Sequence, residues 1–551
     1  MGSLYIYGGL KDKNINLDQK DYIYHINTGQ INCKAKIIDE LKRVNEIALE
    51  ERDSFIEYIN GLNKSFIQNN LIYEECISSF FFSDLFNKRT EFFDTYISIC
   101  HILCLKEKLK ENNKIEKIYL IDCSSDFVQS MYSEFSIKKI FEKNTKRLQN
   151  SLTGAIRSQL KFFIKCALQL PIIKSQYKNR RVDNNSGELF LSRFPLHFDK
   201  HFQDDKYVDM FKDKDKYLIS IITDGMHQDI GFKESFSFSS KLDQKENVVL
   251  LDVFLGMTDV INSLIDSFKI FSPFKNLLRQ EYHFNQINIS GFIKRELIQS
   301  YLRLPRLYMY RNAVKKVFSM YDYKKFTFYL HEYSYGRFFN YLIAKYFPNV
   351  LRVGFQHGPA AKRKLLYYLG NNITSDKKND WIIKTPIPNI VLAEDKISKD
   401  IYHEAGFENV KLMDKVYRYQ YLKDIIRNNS QNKVLICPGL HDGKSLLRKI
   451  YPTIVNNPNK QYLLKPHPRS SAFDQGIPKE YSNENLGIGS EHISNYLETV
   501  SEVIVTYSSV GLEAYMLGIN VTLVCLANKI NESPLLDLYE KNDKKNIDII
   551  W

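Results

Sequence analysis

The sequence predicts an α/β protein in which two parallel-sheet units of Rossmann-like build follow a largely helical N-terminal portion. Three observations carry that expectation. Short apolar runs at 217–222, 248–254, 326–330 and 351–355, and again at 434–437, 461–464, 503–505 and 521–525, alternate with stretches of helical periodicity. Strands that alternate with helices form parallel sheets. The runs are also apolar almost throughout rather than at every second residue, as strands are when helices cover both faces of the sheet. Finally, 551 residues exceed what one hydrophobic core organises.

The elements follow in order. Residues 1–115 form the helical portion, with apolar positions at three- and four-residue steps over 37–51 and 55–71. The segment 116–384 opens on a strand at 118–122 and is interrupted by basic helical stretches at 137–169 and 274–320, with a polar loop at 178–187. Residues 371–386, rich in Asn, Asp, Lys and Pro, mark the crossing to the last unit, 385–551, whose first apolar run is 390–393.

Lys and Arg exceed Asp and Glu by 13, 77 against 64. Such a surplus favours an anionic partner without choosing among phosphates, acidic sugars, nucleic acid and an anionic membrane surface. The basic residues are spread rather than striped, which argues against nucleic acid. No apolar run reaches the roughly 18–20 residues that cross a bilayer, and the N-terminus lacks the layout of a secretory signal. Eight scattered cysteines without a CxxC pair fit reduced thiols. The expected location is therefore cytoplasmic, with the basic aromatic helices of 137–174 and 274–316 offering peripheral contact to an anionic membrane. There is no G-x-x-x-x-G-K-[ST] loop, no G-x-G-x-x-G fingerprint, no Asp-x-Asp after a strand and no clustered His/Cys spacing. No metal and no resident cofactor are expected.

The chemistry-bearing residues lie where strands end. Lys465-Pro466-His467-Pro468 follows the run at 461–464, and Tyr507-Ser508-Ser509-Val510-Gly511-Leu512-Glu513-Ala514 follows the run at 503–505. In open α/β sheets ligands bind at that edge. An imidazole on a Pro-flanked turn, two hydroxyls at a helix start, and the open N–H groups of that helix's first turn all donate to a phosphate. The plainer roles are a rigid corner for His467 and a helix N-cap for the serines. Two independent strand ends with the same chemistry favour the phosphate. Pro438 and Gly439 end a third run, where glycine leaves room for a ligand beside the backbone.

The Lys-Pro-His-Pro turn followed by Ser-Ser-x-Gly-x-Glu-Ala resembles the C-terminal nucleotide-binding domain of GT-B glycosyltransferases, particularly the bacterial enzymes that build capsule, lipopolysaccharide and teichoic-acid polymers. The resemblance covers about residues 385–551 and extends to Gly354-Phe355-Gln356-His357-Gly358. It implies a GT-B fold, two Rossmann-like domains facing a cleft. The nucleotide-sugar donor would sit on the C-terminal domain, and a glycan, lipid-linked glycan or glycoprotein acceptor would enter from the other. It further implies metal-independent, inverting transfer of an acidic nonulosonic-type sugar (sialic, pseudaminic, legionaminic or Kdo) from CMP. The alternative is a CDP-glycerol or CDP-ribitol polyol-phosphate transferase, whose family carries a similar Lys-x-His-Pro turn and serine-rich loop. On this resemblance Pro438, Gly439, Lys465, His467, Pro468, Ser508, Ser509 and Glu513 hold the nucleotide.

The catalytic candidates lie on the other unit. Inverting sugar transfer needs a carboxylate to take the acceptor's proton. Glu332, after the run 326–330, meets that need, and Asp224 in Thr223-Asp224-Gly225 competes with it. His357, after the run 351–355, is the candidate general acid or stabiliser of the leaving phosphate, since an imidazole titrates near working pH. Arg337 and the basic cluster at 362–364 are candidates for an acidic sugar's carboxylate.

Overall fold

Three main sheets, each wholly parallel, organise the chain in its computed structural model. The structure describes residues 2–89, 94–111, 115–135, 139–143, 151–177, 187–192, 216–220, 231–243, 248–330, 333–356, 358–428, 432–541 and 546–551. The first sheet holds β1 (Gly2–Tyr7), β2 (Tyr22–His25), β3 (Lys36–Ile38), β4 (Ile115–Ile121) and β5 (Lys139–Lys143), in the order β3-β2-β1-β4-β5. The second holds β6 (Glu188–Leu191), β7 (Lys216–Ser220), β8 (Val248–Leu250), β9 (Lys325–Tyr329), β10 (Leu351–Phe355), β11 (Ile390–Ala393) and β12 (Val410–Leu412), in the order β8-β7-β6-β9-β10-β11-β12. The third holds β13 (Lys433–Cys437), β14 (Gln461–Leu464), β15 (Leu486–Ile488), β16 (Glu502–Val505), β17 (Asn520–Val524) and β18 (Ile547–Ile550), in the order β15-β14-β13-β16-β17-β18. Each begins at its centre, adds two strands on one side, and then crosses to the other. That is the doubly wound Rossmann order.

The two Rossmann-like units of the expected GT-B layout are the second and third sheets. The N-terminal portion is helical, through α1 (Leu41–Glu50), α2 (Arg52–Gly61) and α3 (Thr95–Glu111), but it also has a sheet of its own. The expected strand at 118–122 is β4, paired with β1 in this sheet and not the opening strand of the second unit; β3 was hidden because it is short and exposed, two of its three residues facing solvent. Ile37, expected in a helix, lies in that strand. Three other expectations change. The run 390–393 is β11, paired with β10 in the second sheet, so the third sheet starts at Lys433. The stretch 137–169 divides into β5 and the helix α4 (Leu152–Gln176). The stretch 274–320 includes a small hairpin, His283–Phe284 with Ile287–Asn288.

The third sheet shows why its strands are apolar without alternation. Leu435, Val503, Val521 and Leu523 bury into one core, and Val434, Ile436 and Ile504 into another on the opposite face. By contrast, a single core runs from Leu4 and Tyr24 of the first sheet to Phe326 and Phe328 of the second. The first two units are therefore one packed body.

Polar joints fasten the third unit to that body. Arg363, buried, donates from Nε to the Asn45 carbonyl of α1 at 2.8 Å, and pairs with Asp537 (3.3 Å) and Glu540 (2.6 Å) of α11, using α9 for Gly443–Asn456, α10 for Ser509–Met516 and α11 for Pro534–Glu540. Arg337 is partly buried, with its Nε on the Phe81 carbonyl at 2.8 Å. Both guanidiniums are engaged by protein partners, Arg363 on every side and Arg337 by the Phe81 carbonyl and Asn87.

His101 of α3 makes a second joint. Its Nε2 lies 2.7 Å from the Ala527 carbonyl and its Nδ1 2.8 Å from the Tyr24 hydroxyl. The carbonyl can only accept, so Nε2 carries the proton and Nδ1 accepts from Tyr24. Burial opposes a second proton and lowers the His101 pKa to about 4. The unfolded chain therefore binds this proton more tightly. The joint is fully effective above about pH 6.5, and its contribution is lost as pH falls from there toward 4. The shift corresponds to about 3 kcal/mol at its limit. We expect His101→Gln to remove that dependence: the melting-temperature gap between wild type and variant should narrow as pH falls from 7 to 4. Parallel profiles would refute the role.

Candidate nucleotide-binding site

The third sheet reverses its winding between β13 and β16, and the candidate residues gather on the loops that leave this point. The register sets Ile436 beside Leu464 and Cys437 beside Val505, so three adjacent strands end at one level. From β13 the chain enters Pro438 and Gly439, both buried, and from β14 it enters Lys465-Pro466-His467-Pro468. From β16 it enters Thr506 and Tyr507, then Ser508 and Ser509 at the head of α10. Such a crevice, outside the carboxyl ends at a winding reversal, is where doubly wound sheets bind ligands.

Two contacts fix these loops to each other. The Gly439 N–H donates to Thr506 Oγ1 at 3.2 Å. Gly439 also lies against the Tyr507 ring so closely that a Cβ there would sit 2.4 Å from Tyr507 Cζ. The Tyr507 hydroxyl in turn accepts from Lys529 Nζ at 3.1 Å. The Lys465 N–H donates to the Ile436 carbonyl at 2.8 Å, which holds the start of the Pro-His-Pro turn against β13.

His467 is half-buried. Its Nδ1 accepts the Arg469 backbone N–H at 3.2 Å, so the neutral ring carries its proton on Nε2. Burial, then the positive neighbours Arg469 and His441, hold its pKa below the usual histidine value. The ring is thus a neutral donor on a basic edge. Ser508 occupies the N-cap position of α10 in extended conformation, yet its side chain makes no cap hydrogen bond. The expected bland role is not what its hydroxyl does. Ser509 opens the first turn, where the N–H groups of Ser509 and Val510 have no intrahelical partner, while the Gly511 N–H donates to the Ser508 carbonyl at 3.1 Å.

Glu513, one turn further along α10, is buried and accepts from the Tyr421 hydroxyl at 2.6 Å. It belongs to a charged network that reaches the second sheet. Arg418 is ion-paired with Glu394 and lies 4.2 Å over the Tyr419 ring. The Glu394 N–H donates to Gln356 Oε1 at 2.9 Å, and Gln356 Nε2 reaches the Gly358 carbonyl at 2.9 Å and Ser398 Oγ at 3.0 Å. Burial raises the Glu394 pKa, and Arg418 opposes that shift. The carboxyl ends of β10 and β11 therefore meet the third unit beside α10. Glu332, His357 and Asp224 themselves lie outside the described residues.

Sequence reasoning missed Asp442, Thr506, Lys529, Tyr421, Arg418 and Glu394. Asp442 sits at the N-cap position of α9 without capping it. Neither of its buried carboxylate oxygens has a hydrogen-bond partner at normal geometry. Burial holds its pKa up, against the favourable influence of Thr506 and Lys529. An Asp-Gly pair directly after a strand end was the signal that could have found it. A separate cavity of about 250 Å³ lies at the carboxyl edge of the first sheet, between His25, Thr28 and Asp39 and the third unit's Arg448, Lys449 and Trp551. None of the sequence-predicted residues lines it. Among the described residues no group of three or more His, Cys, Asp or Glu could hold a metal ion, and no helix is long and apolar enough to cross a membrane.

No family model matches the chain, and no curated protein is significantly similar to it. Among solved structures, it is similar to UDP-GlcNAc 2-epimerase from Neisseria meningitidis bound to UDP-GlcNAc (9% identity, 61% of this chain and 82% of that one, TM-score 0.29). It is also similar to a glycotransferase of kitacinnamycin (8% identity, 67% and 87%, TM-score 0.31). A third is the wall teichoic acid polymerase TagF (12% identity, 67% and 78%, TM-score 0.28). At these scores the likenesses decide nothing about chemistry, which rests on the site itself.

The Gly439–Tyr507 contact supplies a test. Gly439→Ala should force the Tyr507 ring and the adjoining serine loop to shift, destabilising the protein by about 1–3 kcal/mol. The double variant Gly439→Ala/Tyr507→Ala should recover much of the stability. Additive losses in the double-mutant cycle would show that the two residues are not coupled.

Proposed function

We propose that the chain is a glycosyltransferase that moves an acidic nonulosonic-type sugar from a CMP-activated donor to a surface glycan or glycoprotein acceptor, without a metal ion. The observation that carries this reading is the convergence of His467, Ser508 and Ser509 on one winding reversal, each presenting hydrogen-bond donors. His467 donates from Nε2, the serines from their hydroxyls, and the first turn of α10 from its N–H groups. Together with the Lys465 charge they suit a nucleotide's phosphate. Glu513, held by Tyr421, offers carboxylate oxygen to ribose hydroxyls.

In the transfer step, Glu332 takes the proton of the acceptor hydroxyl as that oxygen attacks the anomeric carbon. The bond from that carbon to the phosphate oxygen breaks, and the electron pair leaves with the CMP phosphate. His357 protonates or stabilises the departing phosphate. These two roles rest on the sequence, which puts a carboxylate just after β9 and an imidazole just after β10, and on the chemistry of those groups. The charge that grows on the leaving group is what a basic edge favours.

His467→Ala should abolish transfer while moving the melting temperature little, because the ring is half-exposed and its one described hydrogen bond is local. A fully active variant would end the assignment. A thermal-shift screen with CMP, CDP, UDP and GDP should show selective stabilisation by CMP. Selective stabilisation by CDP, with turnover of CDP-glycerol or CDP-ribitol, would replace sugar transfer by polyol-phosphate transfer.

A further inference from the structure

Two adjoining helices of the second unit turn their polarity inside out, and a third, α4, which buries Phe162, Phe163, Leu170 and Ile173, carries a further apolar ridge on its outer side. On α6 (Met257–Lys269, with α5 as Phe232–Asp243), the buried positions are Asp259, Val260, Ser263 and Ser267, while Met257, Ile261, Ile265 and Phe268 are exposed. On α5, Ser235, Ser239 and Leu242 are buried while Phe232 and Phe236 are exposed. α4, which packs against both, places Gln169 inward, where its Nε2 donates to Ser235 Oγ at 2.9 Å. Its Leu160, Ile164 and Leu168 stand outside at four-residue steps. A surface helix in water does the reverse, with its apolar stripe inward. Single exposed apolar residues need no explanation, but an array across neighbouring helices, with Ile164 58% and Phe268 53% exposed, marks an interaction face.

Charge identifies the occupant. α4 carries Arg157, Lys161, Lys165 and Lys174 and no acidic residue, and exposed Lys161 lies between Leu160 and Ile164 on the outer side. A two-fold contact with a second copy would set this patch against itself, cation facing cation. Anionic headgroups accept cations at the level where apolar side chains enter the acyl boundary, and lysine stems extend to reach them. We propose that α4, α5 and α6 form a face that lies in the interfacial layer of an anionic membrane. It is independent of the donor chemistry proposed above. It also divides the two basic stretches foreseen from the sequence. The second stretch contains the helix Ser290–Tyr308, which is buried along most of its length and is a packing element.

The test uses the full chain and vesicles of phosphatidylglycerol with phosphatidylcholine, against phosphatidylcholine alone. Wild type should sediment with the anionic vesicles and release at high salt. Ile261→Glu/Ile265→Glu, at exposed positions, should keep its melting temperature and lose vesicle partitioning roughly tenfold or more. Lys161→Glu should weaken binding to anionic vesicles alone. Wild type that ignores anionic vesicles, or a double variant that binds as well as wild type, overturns the proposal. So does a wild-type dimer in sedimentation equilibrium that the double variant dissociates, without vesicle binding; the face would then join two copies.

Discussion

Arg363 is the constraint on which the arrangement of the three units depends. A guanidinium removed from water must be met by acceptors on several sides, and here the arginine and its acceptors together span all three units. Its own loop belongs to the second, the Asn45 carbonyl to the first, and Asp537 with Glu540 to the third. The backbone helps, since the Lys362 N–H also donates to Asp537 at 2.7 Å. Burial raises the Asp537 pKa to about 6, while Lys362 and Arg363 favour its ionised form. The joint is one in which each partner is costly alone and acceptable together. The loop that carries it begins at Gln356, so the same joint holds the carboxyl end of β10 against the third unit.

Local chemistry at the candidate site follows from that docking. The third sheet alone supplies His467 and the serine pair, at adjacent strand ends. The network from Gln356 through Glu394 and Arg418 to the neighbourhood of Glu513 exists only because the second unit is held beside α10. The buried acids Glu394 and Asp442 and the neutral His467 show how desolvation governs the site: each is pushed toward its uncharged form by burial. A bound phosphate would favour the charged form of the imidazole and the uncharged forms of the acids.

The outer helices show how far composition can mislead about placement. Basic, apolar stretches at 137–169 and 274–320 look alike as sequence. In the folded chain one contributes the outward apolar ridge of α4, while in the other Arg303 and Arg306 are buried, held by Asp84 and by Gln159. Periodicity reports that a helix has two faces. Which face turns inward depends on neighbours, and Ser235 and Gln169 supply such a neighbour for each other.

Four strands of the third sheet, β13, β14, β16 and β17, and the turns that leave three of them were legible in the sequence, because continuous apolar runs, Pro-His-Pro and Ser-Ser before a helix are signals within a few residues; the outer strands β15 and β18 were not. The sequence equally marked β9 and β10 in the second sheet. Of the first sheet it showed β4 alone, and that as part of another unit, and it did not show that Ile390–Ala393 pairs with Leu351–Phe355. Those emerged only with the docked sheets, together with the burial of Arg363 and of the Asp442 carboxylate. The reason is separation along the chain: Arg363 meets Asp537 across 174 residues, and His101 meets Ala527 across 426. No local pattern encodes a partner at that distance. What a strand end presents can be read from its residues, but what faces it is set by how the sheets dock.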